Sequence, residues 1–386
     1  MEDVEIMAYG REDGSVGVRN HVALIAVDHA GAVVVEGVSK LLRGVEAVSH
    51  QYGRLQFGED LNLTFETLIG IGCNPNVAAA VVVGIEPNWT TKIAEEIAKR
   101  SKKPVESAWV IGQGTISAIE EVAKKARDLV SWATEIRREP HKLSELIIGV
   151  KCGASDTTSG IASNPVIGRV GEWIVDNGGT FIFGETTELA GGEHIIASRF
   201  ENDEEREKFL KVFNEYIEFA KSKGVDILGS QPTQENIAGG LTTIEEKALG
   251  NIQKVPNRPI KGVLKPAEKP RGKGVWFMDT SSSAQEQVTL LAAAGAAIHL
   301  FSTGKGNTVG NQIVPVIKIT GNPRTAKQMR DNIDVDVSGI TMGEITLDDG
   351  AKKVYDFMVK VANGKLTAAE ILRHDNFAIT RLYPSM

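Results

Sequence analysis

Short apolar runs of strand length alternate along this chain with longer segments of helical period, and that alternation restricts the fold more than any single motif. Residues 22–27, 45–49, 77–85 and 105–111 read as strands. Between them lie helical stretches at 31–43, 61–69 and 90–100, and the long amphipathic segment 116–138 follows. The second half repeats the pattern, with strands at 146–150, 180–183, 275–278, 297–301 and 314–319. Such alternation predicts an α/β fold. With 386 residues, 42% of them apolar, the chain is long enough for two cores. The charged segment 137–141, ended by Pro140, marks the boundary. The expectation is two domains, each with a mainly parallel doubly wound sheet: a Rossmann-like 1–140 and a catalytic 141–386.

The net charge of −7, with no long basic block, argues against nucleic acid as a partner. No apolar run approaches a membrane span, and acidic residues stand where a signal peptide carries basic ones. Cys73 and Cys152 are the two cysteines, and they fit single roles better than a disulfide. Together these features predict a soluble, reduced, cytoplasmic protein.

Five strands of the second half share one ending: an apolar run, then small or hydroxyl residues with a Lys, Asp, Glu or Asn. The turn after 146–150 carries Lys151, Cys152, Ser155, Asp156 and Ser159 among glycines. Parallel strands bring such ends to one edge, the usual place for a site in an α/β sheet. That edge holds Lys151, Cys152, Asp156, Glu185, Glu188, Asp279, Thr303, Lys305 and Asn322, a set suited to a small polyoxygenated anion. Glu185 and Glu188, with His194 six residues on, can supply a divalent cation if the loop folds back. The alternative has Glu188 capping a helix and His194 on a solvated face. Cys152 adds a softer ligand, favouring Fe²⁺ over Mg²⁺, or else is a small buried residue. The glycine-rich 304–310 does not read as a phosphate loop, because the apolar, proline-containing 313–319 follows it rather than a helix. Closely spaced glycines at 10, 14 and 17 suit a backbone wrapped tightly around something.

Arg11-Glu12-Asp13-Gly14 with Gly17-Val18-Arg19-Asn20-His21 resembles the opening signature of the altronate and galactarate dehydratase family. Lys151-Cys152-Gly153-Ala154-Ser155-Asp156 with Ser159-Gly160 and Asn164-Pro165 resembles its central motif. Gly184-Glu185-Thr186 with Glu188 and Glu193-His194, then Asn236 with Gly239-Gly240-Leu241-Thr242-Thr243, Glu245 and Lys247, and finally Phe277-Met278-Asp279-Thr280 resemble later motifs in the same order. The resemblance spans nearly the whole chain and extends to the large subunit of (2R)-sulfolactate sulfo-lyase.

What the resemblance implies is a metal-dependent β-elimination on a small-molecule 2-hydroxy acid. The metal, Fe²⁺ with Mn²⁺ or Mg²⁺ as alternatives, falls to Glu185, Glu188 and His194, joined by Cys152. Lys151 or Arg19 supports the developing negative charge, and His21 or Lys151 serves as base. Asp156, Asn236 and Thr243 hold hydroxyls, with Asn20, Ser155, Ser159, Thr242, Asp279 and Thr303 completing the substrate set. The expected reaction is a hydro-lyase step converting a sugar acid such as altronate to a 2-keto-3-deoxy acid. Alternatives are sulfite release from sulfolactate and a non-catalytic anion-binding subunit. Because the Arg-Glu-Asp-Gly motif starts at residue 11, where sugar-acid enzymes often carry a small domain ahead of it, a separate small subunit is expected. A homo-oligomer of this chain is expected as well.

Overall fold

The computed structural model describes residues 1–225 and 232–386. Two α/β domains each form around a parallel sheet, as the alternation requires. The smaller sheet runs Val45–Val48, His21–Ala26, Val77–Gly84, Val105–Trp109 from edge to edge. Every residue of Val77–Gly84 is buried, which is what an unbroken apolar run means when helices cover both faces. Helix Thr115–Ala133 ends sooner than its amphipathic pattern, and the Ala133 carbonyl accepts a hydrogen bond from Asn20 Nδ2.

The larger sheet has seven parallel strands in the order Ile260–Leu264, Gly274–Met278, Thr180–Phe183, Ile147–Gly153, Ile298–Thr303, Val316–Thr320, Val335–Asp336. Successive strands leave Ile147–Gly153 toward one side, and the chain later returns to add strands on the other. Its carboxyl end is therefore the point where strand order reverses and a crevice opens. Ile260–Leu264 lies within a proline-rich stretch that reads from sequence as a surface excursion, yet it forms the sheet edge, with Pro259 and Pro266 just outside the strand.

A third sheet was not anticipated. Glu5–Gly10 pairs antiparallel with both Val16–Gly17 and Glu139–Lys142. The charged segment between the domains is thus a strand held by the start of the chain. The domains also meet through helices Gly58–Cys73 and Ala284–Ala293, which approach so closely that a Cβ on Gly70 would lie 2.4 Å from the Ala293 carbonyl oxygen. Phe65, Leu68 and Ile69 from one side and Leu290 and Ala293 from the other share one apolar cluster.

At the reversal point the ends of neighbouring strands press on each other. A Cβ on Gly304 would stand 2.3 Å from Asp156 Cγ and 2.7 Å from its backbone nitrogen. Gly304→Ala is expected to cost about 1–3 kcal/mol through displacement of this turn, read as a lower urea midpoint. Gly272→Ala, where no atom lies within 4 Å, should leave the midpoint unchanged.

Candidate active site

Lys151 and Cys152 occupy the last turns of the central strand and point into the protein, with 1% exposure each. Glu185 follows the adjacent strand Thr180–Phe183 in a left-handed conformation, φ 69°, which few non-glycine residues adopt. That turn depends on Gly184, whose Cβ would lie 2.3 Å from Thr280 Oγ1. The Thr280 hydroxyl in turn accepts the Glu185 N–H at 2.9 Å. Strain held in place by its neighbours marks functional turns, and here it turns the carboxylate back toward the central strand. The single helical turn Thr186–Leu189 then delivers Glu188 to the same spot.

The four side chains meet. Lys151 Nζ bonds Glu185 Oε1 and lies 3.9 Å from Glu188 Oε1. The Cys152 thiol is 3.5 Å from Glu185 Oε1, 3.6 Å from Glu188 Oε2 and 3.1 Å from Asn251 Oδ1. Two further ammonium groups close the cluster: Lys254 Nζ at 2.6 Å from Glu185 Oε2, and Lys247 Nζ at 3.5 Å from Glu188 Oε1. Glu185 and Lys254 have no exposed surface. Burial disfavours every charge here, so the shifts report which partners win. Burial, with Glu185 alongside, pushes the Cys152 thiol up to about 12. Burial works against Lys151 too, but Glu185 and Glu188 outweigh it and hold it above the ordinary lysine value. Burial would likewise raise Glu188, yet Lys247 and Lys151 keep it below the usual carboxylate range.

Cys152 Sγ and one oxygen from each of Glu185 and Glu188 all lie within 4.8 Å of one another. Ligands about 2.0–2.3 Å from a single ion have that separation, so the donor set fits one divalent cation with a preference for a metal that accepts sulfur. His194 is not in this group. It sits exposed on the short helix Glu193–Ala197.

A crevice of about 10 Å³, the smallest space that holds a water, opens beside the cluster, lined by Cys152, Ser155, Asp156, Ser159, Glu188 and Lys247 among others. Asp156 anchors its wall: one oxygen accepts from the Thr158 hydroxyl and the Ser159 N–H, the other from Asn322 Nδ2 at 2.7 Å. Asn236 donates to the Ser155 carbonyl and accepts from Lys247. Thr303 and Asp279 lie on the same edge, Thr303 accepting from the Gly306 N–H and Asp279 from the Thr186 hydroxyl. Thr242 and Thr243 are exposed, and Thr243 caps helix Ile244–Ile252.

Arg19, Asn20 and His21 stand elsewhere. The Val18 and Arg19 N–H groups bond Asn76 Oδ1, and Asn76 Nδ2 bonds the carbonyls of Ala297 and Ile313. Those carbonyls precede the large-sheet strands at their amino ends, and Ile298–Thr303 spans roughly 16 Å to the far edge where Cys152 lies. Arg19 instead grips both oxygens of Glu370 and the Val361 and Lys365 carbonyls, tying the two domains. Burial and the neighbouring Arg19 depress His21 to about 4, with Glu46 3.8 Å away. A cleft of about 710 Å³ between the domains, lined by Asp13, Glu66, Cys73 and Lys265 among others, contains none of the cluster residues.

Two members of the cluster, Asn251 and Lys254, went unread in the sequence, and Lys247 entered only as part of a motif. Their spacing of four and three residues places all three on one helical face, and Lys247, Ala248, Asn251 and Ile252 are the buried side of helix Ile244–Ile252. A lysine recurring in a buried stripe was the available signal.

Residues 143–385 match the family of D-galactarate/altronate dehydratase C-terminal domains, and residues 8–134 match the second domain of D-galactarate dehydratase/altronate hydrolase. The (2R)-sulfolactate sulfo-lyase subunit beta of Chromohalobacter salexigens is 50% identical over 381 residues, covering 98% of each chain. Altronate dehydratase of Escherichia coli is 30% identical across 95% of this chain and 76% of its own length. Galactarate dehydratase (L-threo-forming) of the same organism is 29% identical, over 95% and 74%.

Removing one member of a buried ion cluster leaves its partner charges without compensation. Glu185→Gln is therefore expected to destabilise the protein by about 3–5 kcal/mol. Glu185→Gln combined with Lys151→Met should recover part of that loss in urea titrations. A double variant as unstable as the sum of the singles would separate the two side chains energetically.

Proposed function

This chain belongs to the D-galactarate/altronate dehydratase family, and on that premise we propose that it is a lyase performing β-elimination on a small 2-hydroxy acid. The observation that carries the reaction class is the buried Cys152–Glu185–Glu188 donor set, ringed by three lysines beside a hydroxyl-lined crevice. Cys152, Glu185 and Glu188 would hold a divalent ion, Fe²⁺ by preference for the sulfur, and that ion would supply positive charge against the negative charge that develops on the substrate.

The chain's own groups do the rest. Lys151, held protonated by Glu185, contributes fixed positive charge rather than a basic nitrogen. Lys247 reaches the crevice wall and offers an ammonium group to an anionic substituent, while Ser155 and Ser159 offer hydroxyls. Asp156, with both oxygens engaged by the turn and by Asn322, positions that wall.

Among hydroxy acids, (2R)-sulfolactate is the substrate this reading favours. The 50% identity extends over 98% of both chains. The C2 proton passes to water, and the electron pair it leaves forms the C2–C3 double bond as the C3–S bond breaks. Sulfite departs with that bond's electrons, and the enol gives up its O–H proton as it takes one at C3 to become pyruvate. A sugar-acid hydro-lyase is the second reading, supported by the altronate and galactarate dehydratases at 28–30% identity. Because the sulfo-lyase relative is named as a subunit, we propose that this chain works beside a separate, smaller subunit; a cytoplasmic location is part of the same proposal. Among the described residues no helix is long and apolar enough to cross a membrane.

The test is to co-express the chain with its small subunit and offer (2R)-sulfolactate, altronate and galactarate side by side. Pyruvate and sulfite in equal amounts from sulfolactate, lost with a chelator and restored by Fe²⁺, are expected. Keto acid from altronate without sulfite from sulfolactate would select the second reading. Turnover unaffected by the chelator would remove the metal.

A further inference from the structure

Lys151, Lys247 and Lys254 face two carboxylates, Glu185 and Glu188, and a thiol. Of the three lysines, Lys254 is the one against the sulfur: its Nζ lies 3.6 Å from Cys152 Sγ and 2.6 Å from Glu185 Oε2. Sγ and the nearer Glu185 oxygen are themselves only 3.5 Å apart. An ion bound to both donors has to take the ground that the Lys254 ammonium group now borders. An ammonium group and a divalent cation a few ångströms apart in a buried site repel strongly.

The side chain is built to sit there. Lys254 has no exposed surface, and its nitrogen also bonds Asn251 Oδ1, one turn back on the same helical face. Its backbone lies just beyond helix Ile244–Ile252, at a turn closed by the Lys254 N–H on the Asn251 carbonyl at 3.2 Å. Four flexible side-chain bonds let the ammonium group withdraw while that backbone stays.

Resting on the metal-binding reading above, we infer that the Lys254 ammonium group is a placeholder for the divalent ion and leaves the Cys152–Glu185 side of the site when the ion binds. In the metal-free chain it compensates Glu185 Oε2, the oxygen opposite the one that Lys151 bonds, so the protein folds before it is loaded. Many small metal domains lack such a substitute and are unfolded without their ion. The same group competes with the ion and lowers its affinity.

Co²⁺ is the probe, because a sulfur-to-cobalt charge-transfer band reports ligation by Cys152, and Cys152→Ser identifies the band by its loss. Full-length wild type, Lys254→Met and Lys254→Gln are titrated, and the metal-free melting temperatures are recorded. An opposite charge within about 4–6 Å shifts an ionic equilibrium by one to three powers of ten, and a like charge acts in the opposite sense, so both variants should bind Co²⁺ at least about tenfold more tightly. Their metal-free forms should melt below wild type, and saturating Co²⁺ should narrow that gap. Equal or weaker binding by a folded variant overturns the placeholder and leaves the metal site standing. Absence of the band in wild type and variants alike removes the metal site, and the inference with it. Lys254→Gln keeps a donor for Asn251 and Glu185 and decides the matter where Lys254→Met does not fold.

Discussion

Two carboxylates and three ammonium groups share a volume from which water is largely excluded, and the rest of the molecule is arranged to tolerate it. Each buried ion loses several kcal/mol of hydration, which only close, correctly oriented counter-charges offset. The partners therefore stand on rigid elements: Lys151 on the central strand of seven, Glu185 at the end of its neighbour, Lys247 on a packed helix. That helix approaches the π-helical turn Ser159–Ser163 at Gly160 and Gly250, where a Cβ on either would lie 3.2–3.3 Å from the other's Cα. Positive φ at Ala154 and Glu185 shows that backbone strain is accepted at both strand ends to aim these groups.

The opposite edge of the sheet has a different task. Gly17 packs so tightly on the next turn that a Cβ would sit 2.0 Å from the Pro75 carbonyl oxygen, and Asn76 stitches that turn to both the 18–21 segment and the large domain. Arg19 completes the junction through Glu370. The glycine-spaced segment wraps closely around something, as its composition suggests, and what it wraps is the chain's own Pro75–Asn76 turn. In this chain the 10–21 segment therefore fixes one domain against the other, some distance from the charge cluster.

Strand–helix alternation was enough to read the two parallel sheets, because buried strands announce themselves as unbroken apolar runs. The third sheet was not legible: Glu5–Gly10 buries only Ile6 and Ala8 along its length, and Glu139–Lys142 buries nothing fully. The convergence of Lys151, Cys152, Glu185 and Glu188 followed from the shared grammar of parallel strand ends. His194 and His21 were harder to place, since a histidine beside glycines looks alike whether its loop folds inward or lies on the surface. Lys254 shows itself only through its spacing from Lys247 and Asn251. It follows a short helix rather than a strand, and lysine at a buried position contradicts the ordinary expectation that its charge stays in water.

The central claim is that residues from two neighbouring strand ends hold one cation. Anomalous diffraction at the iron edge, from crystals grown with Fe²⁺, locates that cation directly. A single peak within bonding distance of Cys152 Sγ, Glu185 and Glu188 is expected. A peak beside His21 and Glu46 at the far edge, or on His194 without Cys152, would contradict it.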